Sequence, residues 1–207
     1  MNNILLEFTG LPPFSQITAD AVKPAVEQAL ARCRSAIEQA VATTPVSWHS
    51  LITATEDSAD HLSRLWSPVS HLNSVLSSPE LRDAYESCLP LLSDFSTWVG
   101  QHEGLYQAYL ALSQSAEYKT LSGAQQKVIQ NPLRDFKLSG IGLSAEKKQR
   151  YGEIQSRLSD LSSQFSNNTL DATQAWFKQF DNADALAGLP ESALAQAAQT
   201  AAQTAAA

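Results

Sequence analysis

Residues 102 to 106 read His-Glu-Gly-Leu-Tyr, one residue short of the pattern H-E-x-x-H. Two histidines four apart project from one helical face, so both can hold a zinc ion while the intervening glutamate acts on the bound water. Here Tyr106 stands where the second ligand belongs, and a phenol with an ordinary pKa of about 10 is a poor zinc donor at neutral pH. Leu105, the other residue within reach, has no donor atom, and Gly104 weakens a helix by roughly 1 kcal/mol relative to alanine. His102 and Glu103 therefore read as the closing piece of a structural helix region, with Leu105, Tyr106, Tyr109 and Leu110 packing inward.

Three other constellations carry the right residue types. Ser67 and His71 sit four apart, which meets the first requirement for a base that activates a hydroxyl, but no acid is placed to orient the imidazole. Glu56, Asp57, Asp60 and His61 form an acidic turn of metal-ligand types, and Asp60 with Arg64 at i,i+4 explains most of it as an exposed helical surface. Gly140-Ile141-Gly142 lacks the preceding strand and third glycine of a phosphate loop and reads as a turn. No catalytic, cofactor-binding or metal-ligating residue is assigned anywhere in the sequence.

The 207 residues suffice for one domain with a real core. The net charge is -7, unevenly spread: residues 1–100 hold 5 Lys+Arg against 11 Asp+Glu, and the remainder holds 9 against 10. Such a surface repels nucleic-acid phosphates and anionic membranes. No apolar run reaches the length of a membrane span, and "MNNILLEFTG" lacks the basic residues and apolar stretch of a secretory leader, so a cytoplasmic location is expected. Cys33 and Cys88 stand alone on apolar helical faces, as expected of buried reduced thiols. Without a secretory route the sequon at Asn167 has no use.

The elements that must position these residues read as helices. Val22, Val26, Leu30, Cys33, Ile37 and Val41 recur at helical spacing, with Pro24 near the first turn and Thr43-Thr44-Pro45 as the stop. Ser47 can cap a second helix, kinked at Pro68. Ser78-Pro79-Glu80 opens a third, burying Leu81, Tyr85, Cys88, Leu92, Phe95 and Val99. Ser122 and Gln125 make a capping box for a fourth, expected to be interrupted near Pro132. In a fifth, Tyr151, Ile154, Leu158, Leu161 and Phe165 form the seam of a helix lying along another, with Glu153 and Arg157 paired outside. Trp176 to Phe180 could form a short strand. The expected class is all-α, with long antiparallel helices in layers: one domain over residues 1–191 and an Ala/Gln/Thr-rich tail over 192–207, which should fray with only Leu194 to anchor it.

The ordered series "LPPFSQI", "SPVSHLNSV", "SPELRDAYE", "LPLLSDFSTWVGQHEGLY", "LRDFKLSGIGL", "QRYGEIQSRLSDL" and "FSNNTLDAT" resembles the N-terminal part of the thimet oligopeptidase family of zinc metallopeptidases. The resemblance implies a mostly helical enzyme whose two halves flank a deep channel, admitting short free peptides, cleaved signal peptides among them, and excluding folded proteins. It also implies zinc held by H-E-x-x-H and a downstream glutamate, all in the C-terminal half, with the motif glutamate activating water. No position here matches those residues, so the chain is expected to supply channel wall, to bind no zinc itself and to be inactive alone. Where the family runs on into its catalytic domain, this sequence drifts into alanine, glutamine and threonine. Apolar helix faces left uncovered by the missing half would favour self-association. The alternative is a stand-alone helical interaction module that has lost its catalytic half.

Overall fold

The computed structural model describes residues 3–205, and among them every regular element is a helix. A one-turn helix α1 (Ile4–Glu7) precedes α2 (Ala19–Ala42), α3 (Ala54–Val75) and α4 (Pro79–Gly100). There follow α5 (Glu103–Gln114), α6 (Gly123–Leu138), α7 (Ala145–Ala175) and α8 (Glu191–Ala205). Short connections set α3 against α4 and α5 against α6 as neighbours, with α2 packed on both α3 and α4, the layered all-α class expected. The chain divides into two compact units, one up to Ser163 and one from Gln164 onward.

The first unit is organised by α2. Its buried residues Val22, Ala25, Val26, Ala29, Leu30, Cys33, Ile37 and Ala40 follow the three-and-four spacing of one helical face. The N-terminal part of that face packs with Leu5, Leu65, Val69 and Cys88 into one core cluster. Ile37 and Ala40 join Leu51, Leu105, Tyr109, Leu112, Ile129 and Phe136 in a second. Burying each large apolar side chain contributes about 1.5–3 kcal/mol, and the alanines let neighbouring helices approach closely.

The helix starts follow their caps. The Ser47 hydroxyl accepts from the Ser50 N–H at 3.1 Å while the Ser50 hydroxyl accepts from the Ser47 N–H at 3.0 Å. The six residues Trp48–Thr53 wind as π helix before α3 begins. The Trp48 N–H, freed at that terminus, donates to the Glu117 carboxylate at 3.2 Å. Ser78 and the Ser122/Gln125 box cap α4 and α6 as expected. At the C-terminus of α6 the Ile141 N–H reaches the Phe136 carbonyl at 3.0 Å and the Gly140 N–H reaches Lys137 at 3.2 Å. This is a Schellman closure with Gly140 at φ +82°. Ile141 and Phe136 then share the core cluster, so the turn is also sealed by an apolar contact.

Several expectations need correction. Pro132 does not interrupt α6, which is continuous; packing of Ile129 and Phe136 on either side outweighs one missing hydrogen bond. The α2 helix begins at Ala19, leaving Pro24 in its second turn. Residues 176–180 form no strand: no strand exists among the described residues to pair with it, and Trp176 and Phe177 are exposed. The α7 seam is covered only at its start, where Tyr151 is half-buried and, with Leu158, lines a cleft against α4. Ile154, Leu158, Leu161 and Phe165 are 43 to 73% exposed. The half-buried side of α7 instead carries Gly152, Gln155, Ser156 and Ser159, with Gly152 set close to Thr97 of α4. Ile154, Leu161 and Phe165 thus lie on the far side of the helix from Gly152, Gln155, Ser156 and Ser159. Glu153 pairs with Arg150 at 2.9 Å rather than with Arg157.

In the second unit, α8 carries the alanine-rich segment, with Ala193 and Leu194 half-buried. Phe177, Phe180, Leu186 and Leu194 line a cavity of about 800 Å³ there. The final two residues of the expected 192–207 tail lie outside the described residues.

Two substitutions test this packing. Gly140→Ala forces an L residue into positive φ and sets its Cβ 2.6 Å from Leu143 Cδ1. It should lower unfolding free energy by about 1–2 kcal/mol in urea titrations. Tyr109, desolvated by burial with the Thr55 hydroxyl partly offsetting, has its phenol pKa pushed up to about 12. A raised folded pKa means stability is full below pH ~10 and is lost as pH rises toward 12. Tyr109→Phe should remove about 2–3 kcal/mol of that alkaline loss, read as the difference between the two proteins' stability–pH curves.

Candidate functional site

His102 is the N-cap of α5, opening this helix rather than closing the one before it. Its Nδ1 accepts the Leu105 N–H at 3.0 Å, which requires an unprotonated Nδ1. The Nε2–H then donates to Glu38 Oε1 of α2 at 3.2 Å. The ring stands perpendicular to Trp98 at 4.8 Å between centroids, and the Arg34 guanidinium lies 4.4 Å from the Trp98 centroid. Arg34 and Glu38, one turn apart on α2, thereby clamp the end of α4 and the start of α5. Both imidazole nitrogens are committed, so His102 has no lone pair to offer a metal in this arrangement.

The rest of the five-residue stretch is equally occupied. Glu103 accepts from Gln107 at 2.9 Å on the exposed first turn, and Tyr106 packs edge-on against Phe136 with centroids 5.7 Å apart. Leu105 and Tyr109 are buried, while Tyr106 and Leu110 are half-buried. Histidine is uncommon among N-caps, where serine, threonine, aspartate and asparagine dominate. Glu103 beside the positive helix end was the available sequence signal for a helix beginning at this point.

The other candidates separate. The His71 ring packs at 5.6 Å on Phe14, and Ser67 is exposed. No hydrogen bond joins Ser67 to His71 among the described residues. Asp60 and Arg64 do not pair; Arg64 lies over the Phe8 ring at 5.6 Å. Gly140-Ile141-Gly142 is the helix closure described above. Cys33 and Cys88 are buried and in no disulfide, and burial raises both thiol pKa values. Cys33 donates to the Ser58 carbonyl at 3.2 Å. Among the described residues no three or more His, Cys, Asp or Glu side chains gather as a metal site requires. Among the described residues the 102–106 stretch thus offers no ligand pair for a zinc ion.

Open concavities remain. Between α4 and α7 a cleft of about 430 Å³ is lined by Ser93, Ser96, Thr97, Tyr151, Gln155 and Ser159, a rim of uncharged donors and acceptors. A second of about 570 Å³, touching Glu103, Tyr106, Lys137 and Tyr151, lies beside the Gly140 turn. No helix among the described residues is long and apolar enough to cross a membrane.

His102→Ala removes the cap, the Glu38 contact and the packing on Trp98 together. It should destabilise the protein by about 1–2 kcal/mol in urea titrations, while His102→Asn, which can still cap, should recover part of the loss.

The family model described as Neurolysin/Thimet oligopeptidase, N-terminal domain, matches residues 26–148. Oligopeptidase A of Haemophilus influenzae is 60% identical over 204 residues, covering 99% of this chain and 30% of that protein. Oligopeptidase A of Escherichia coli is 57% identical over 198 residues, 95% of this chain and 29% of that protein. The probable cytosolic oligopeptidase A of Arabidopsis thaliana is 34% identical over 97% of this chain and 28% of its own length. The chain thus spans less than a third of the relatives it matches. It belongs to the neurolysin/thimet oligopeptidase family and is similar along nearly its whole length to the N-terminal part of oligopeptidase A.

Proposed function

We propose that this chain acts as the N-terminal helical region of a zinc metallo-oligopeptidase that hydrolyses short free peptides, cleaved signal peptides included. It builds channel wall and is catalytically silent by itself. The observation that carries this is the 60% identity over 99% of the chain to a protein named as an oligopeptidase. In this reading residues 1–191 form the helical domain, 192–207 a tail outside it, and the zinc belongs to polypeptide beyond the matched region. Two buried thiols in no disulfide support a reducing, cytoplasmic setting.

The uncovered stripe of Ile154, Leu158 and Leu161 supports docking of further polypeptide on α7, because a solvent-facing row of branched apolar side chains on a long helix marks a surface meant to be covered. The same stripe favours a second reading, a stand-alone helical interaction module that associates with itself or another chain through α7.

A reconstitution decides between them. The chain should show no chelator-sensitive cleavage of a quenched fluorescent peptide alone. Mixed with the remaining C-terminal polypeptide of Haemophilus influenzae oligopeptidase A, it should restore zinc-dependent cleavage, and Leu158→Glu should reduce that restoration by tenfold or more. Chelator-sensitive cleavage by the chain alone overturns its silence; a stable complex without cleavage, or self-association unaffected by the added polypeptide, favours the interaction module.

A further inference from the structure

The cleft between α4 and α7 lies wholly within the first unit, and its volume of about 430 Å³ is within the range of small-ligand sites. On α4 it is lined by Ser93, Ser96 and Thr97, which three-and-four spacing sets on one helical face. On α7 Gln155, Ser159 and Ser162 follow the same spacing over seven residues, about 10.5 Å of helix. Ser58, Ser74, Ser87 and Ser113 donate to carbonyls three residues back in their own helices. None of the six cleft side chains makes any hydrogen bond among the described residues, so their donors and acceptors are uncommitted.

The lining is also uncharged. Asp, Glu, Lys and Arg make up 17% of the sequence, yet none of them is among the twelve residues that border the cleft. An ionic ligand would lose hydration there with no counter-charge to replace it. Trp66 and Tyr151 supply aromatic surface, and the Trp66 ring is fixed by stacking on Tyr85, with centroids 4.8 Å apart and planes 13° from parallel. The apolar face of a docking helix would cover the hydroxyls without pairing them, which is unfavourable. A ring compound bearing several hydroxyls carries donors and acceptors around its edge and C–H groups on its faces. It satisfies the polar side chains and the aromatic rings together.

We infer that this cleft binds an uncharged polyhydroxyl ligand of the saccharide type. The hydroxyls of Ser93, Ser96, Thr97, Ser159 and Ser162 and the Gln155 amide pair with its hydroxyls, while Trp66 and Tyr151 take its C–H faces. The site plays no part in the proposed peptide cleavage and uses no zinc. It shares only Leu158 with the exposed row of Ile154, Leu158 and Leu161.

The test is titration of the ¹⁵N-labelled 207-residue protein with maltose, and in parallel with glucuronate as an anionic probe and hexane-1,6-diol as an apolar one. Maltose should move backbone amide signals within residues 93–97 and 155–162 with about millimolar affinity, and the other two probes should bind at least tenfold more weakly. Ser93→Ala combined with Ser159→Ala should weaken maltose binding about tenfold, the loss expected for two neutral hydrogen bonds. Ser159→Leu, which fills the cleft, should abolish it. In each variant the rest of the spectrum, unchanged, shows that the protein folds. Absence of shifts in those segments at about 20 mM maltose would overturn the inference. So would glucuronate or the diol binding as tightly as maltose, or the double alanine variant retaining full affinity.

Discussion

The folded unit depends on the requirement that α2 be buried along its whole length against several helices at once. Its face alternates small residues, Ala25, Ala29, Cys33 and Ala40, with branched ones, Val22, Val26, Leu30 and Ile37. Small side chains let α3 and α4 approach closely, and branched ones fill the spaces between. The two core clusters are successive stretches of this one surface. Polar residues of α2 do related work at its margin: Arg34 covers Trp98, and Glu38 fixes the His102 ring that starts α5. A helix that looks from its sequence like one amphipathic element among several is therefore the element on which both clusters are laid.

Where local chemistry decides, the sequence was a reliable guide. The stop at Thr43–Pro45, the Ser78-Pro79 start and the Ser122/Gln125 box all involve partners within four residues of one another. The failures share a different cause. Pro132 sits inside a continuous helix because Ile129 and Phe136 are held from outside it, and the pattern of α6 alone does not contain that information. The His102 cap was missed because imidazole is an uncommon cap and its second partner, Glu38, is sixty-four residues away. Arg64 leaves Asp60 for the ring of Phe8, a contact set by how the N-terminal segment returns across α3.

The α7 stripe is the reverse case. Its periodicity was read correctly as an apolar seam, and the inference that a helix of this chain lies along it was not, since periodicity shows that a face wants cover without showing what supplies it. The near-motif at 102–106 was set aside in the sequence because Tyr106 stands where a second ligand belongs. The structure adds the physical account: the imidazole that opens the near-motif is already spending one nitrogen on a helix terminus and the other on a carboxylate.

The arrangement of α2 also has a kinetic side. Its first two long partners, α3 and α4, are the next two helices in the chain, so one core cluster is assembled wholly within the first hundred residues. Contacts that close short stretches of chain cost little loop entropy and favour rapid folding. The second cluster must wait for α5 and α6, whose Leu105, Leu112 and Ile129 pack with Ile37 across a wider sequence gap. Along a nascent chain the order of burial on α2 would thus run from its N-terminal end to its C-terminal end, in the direction of synthesis.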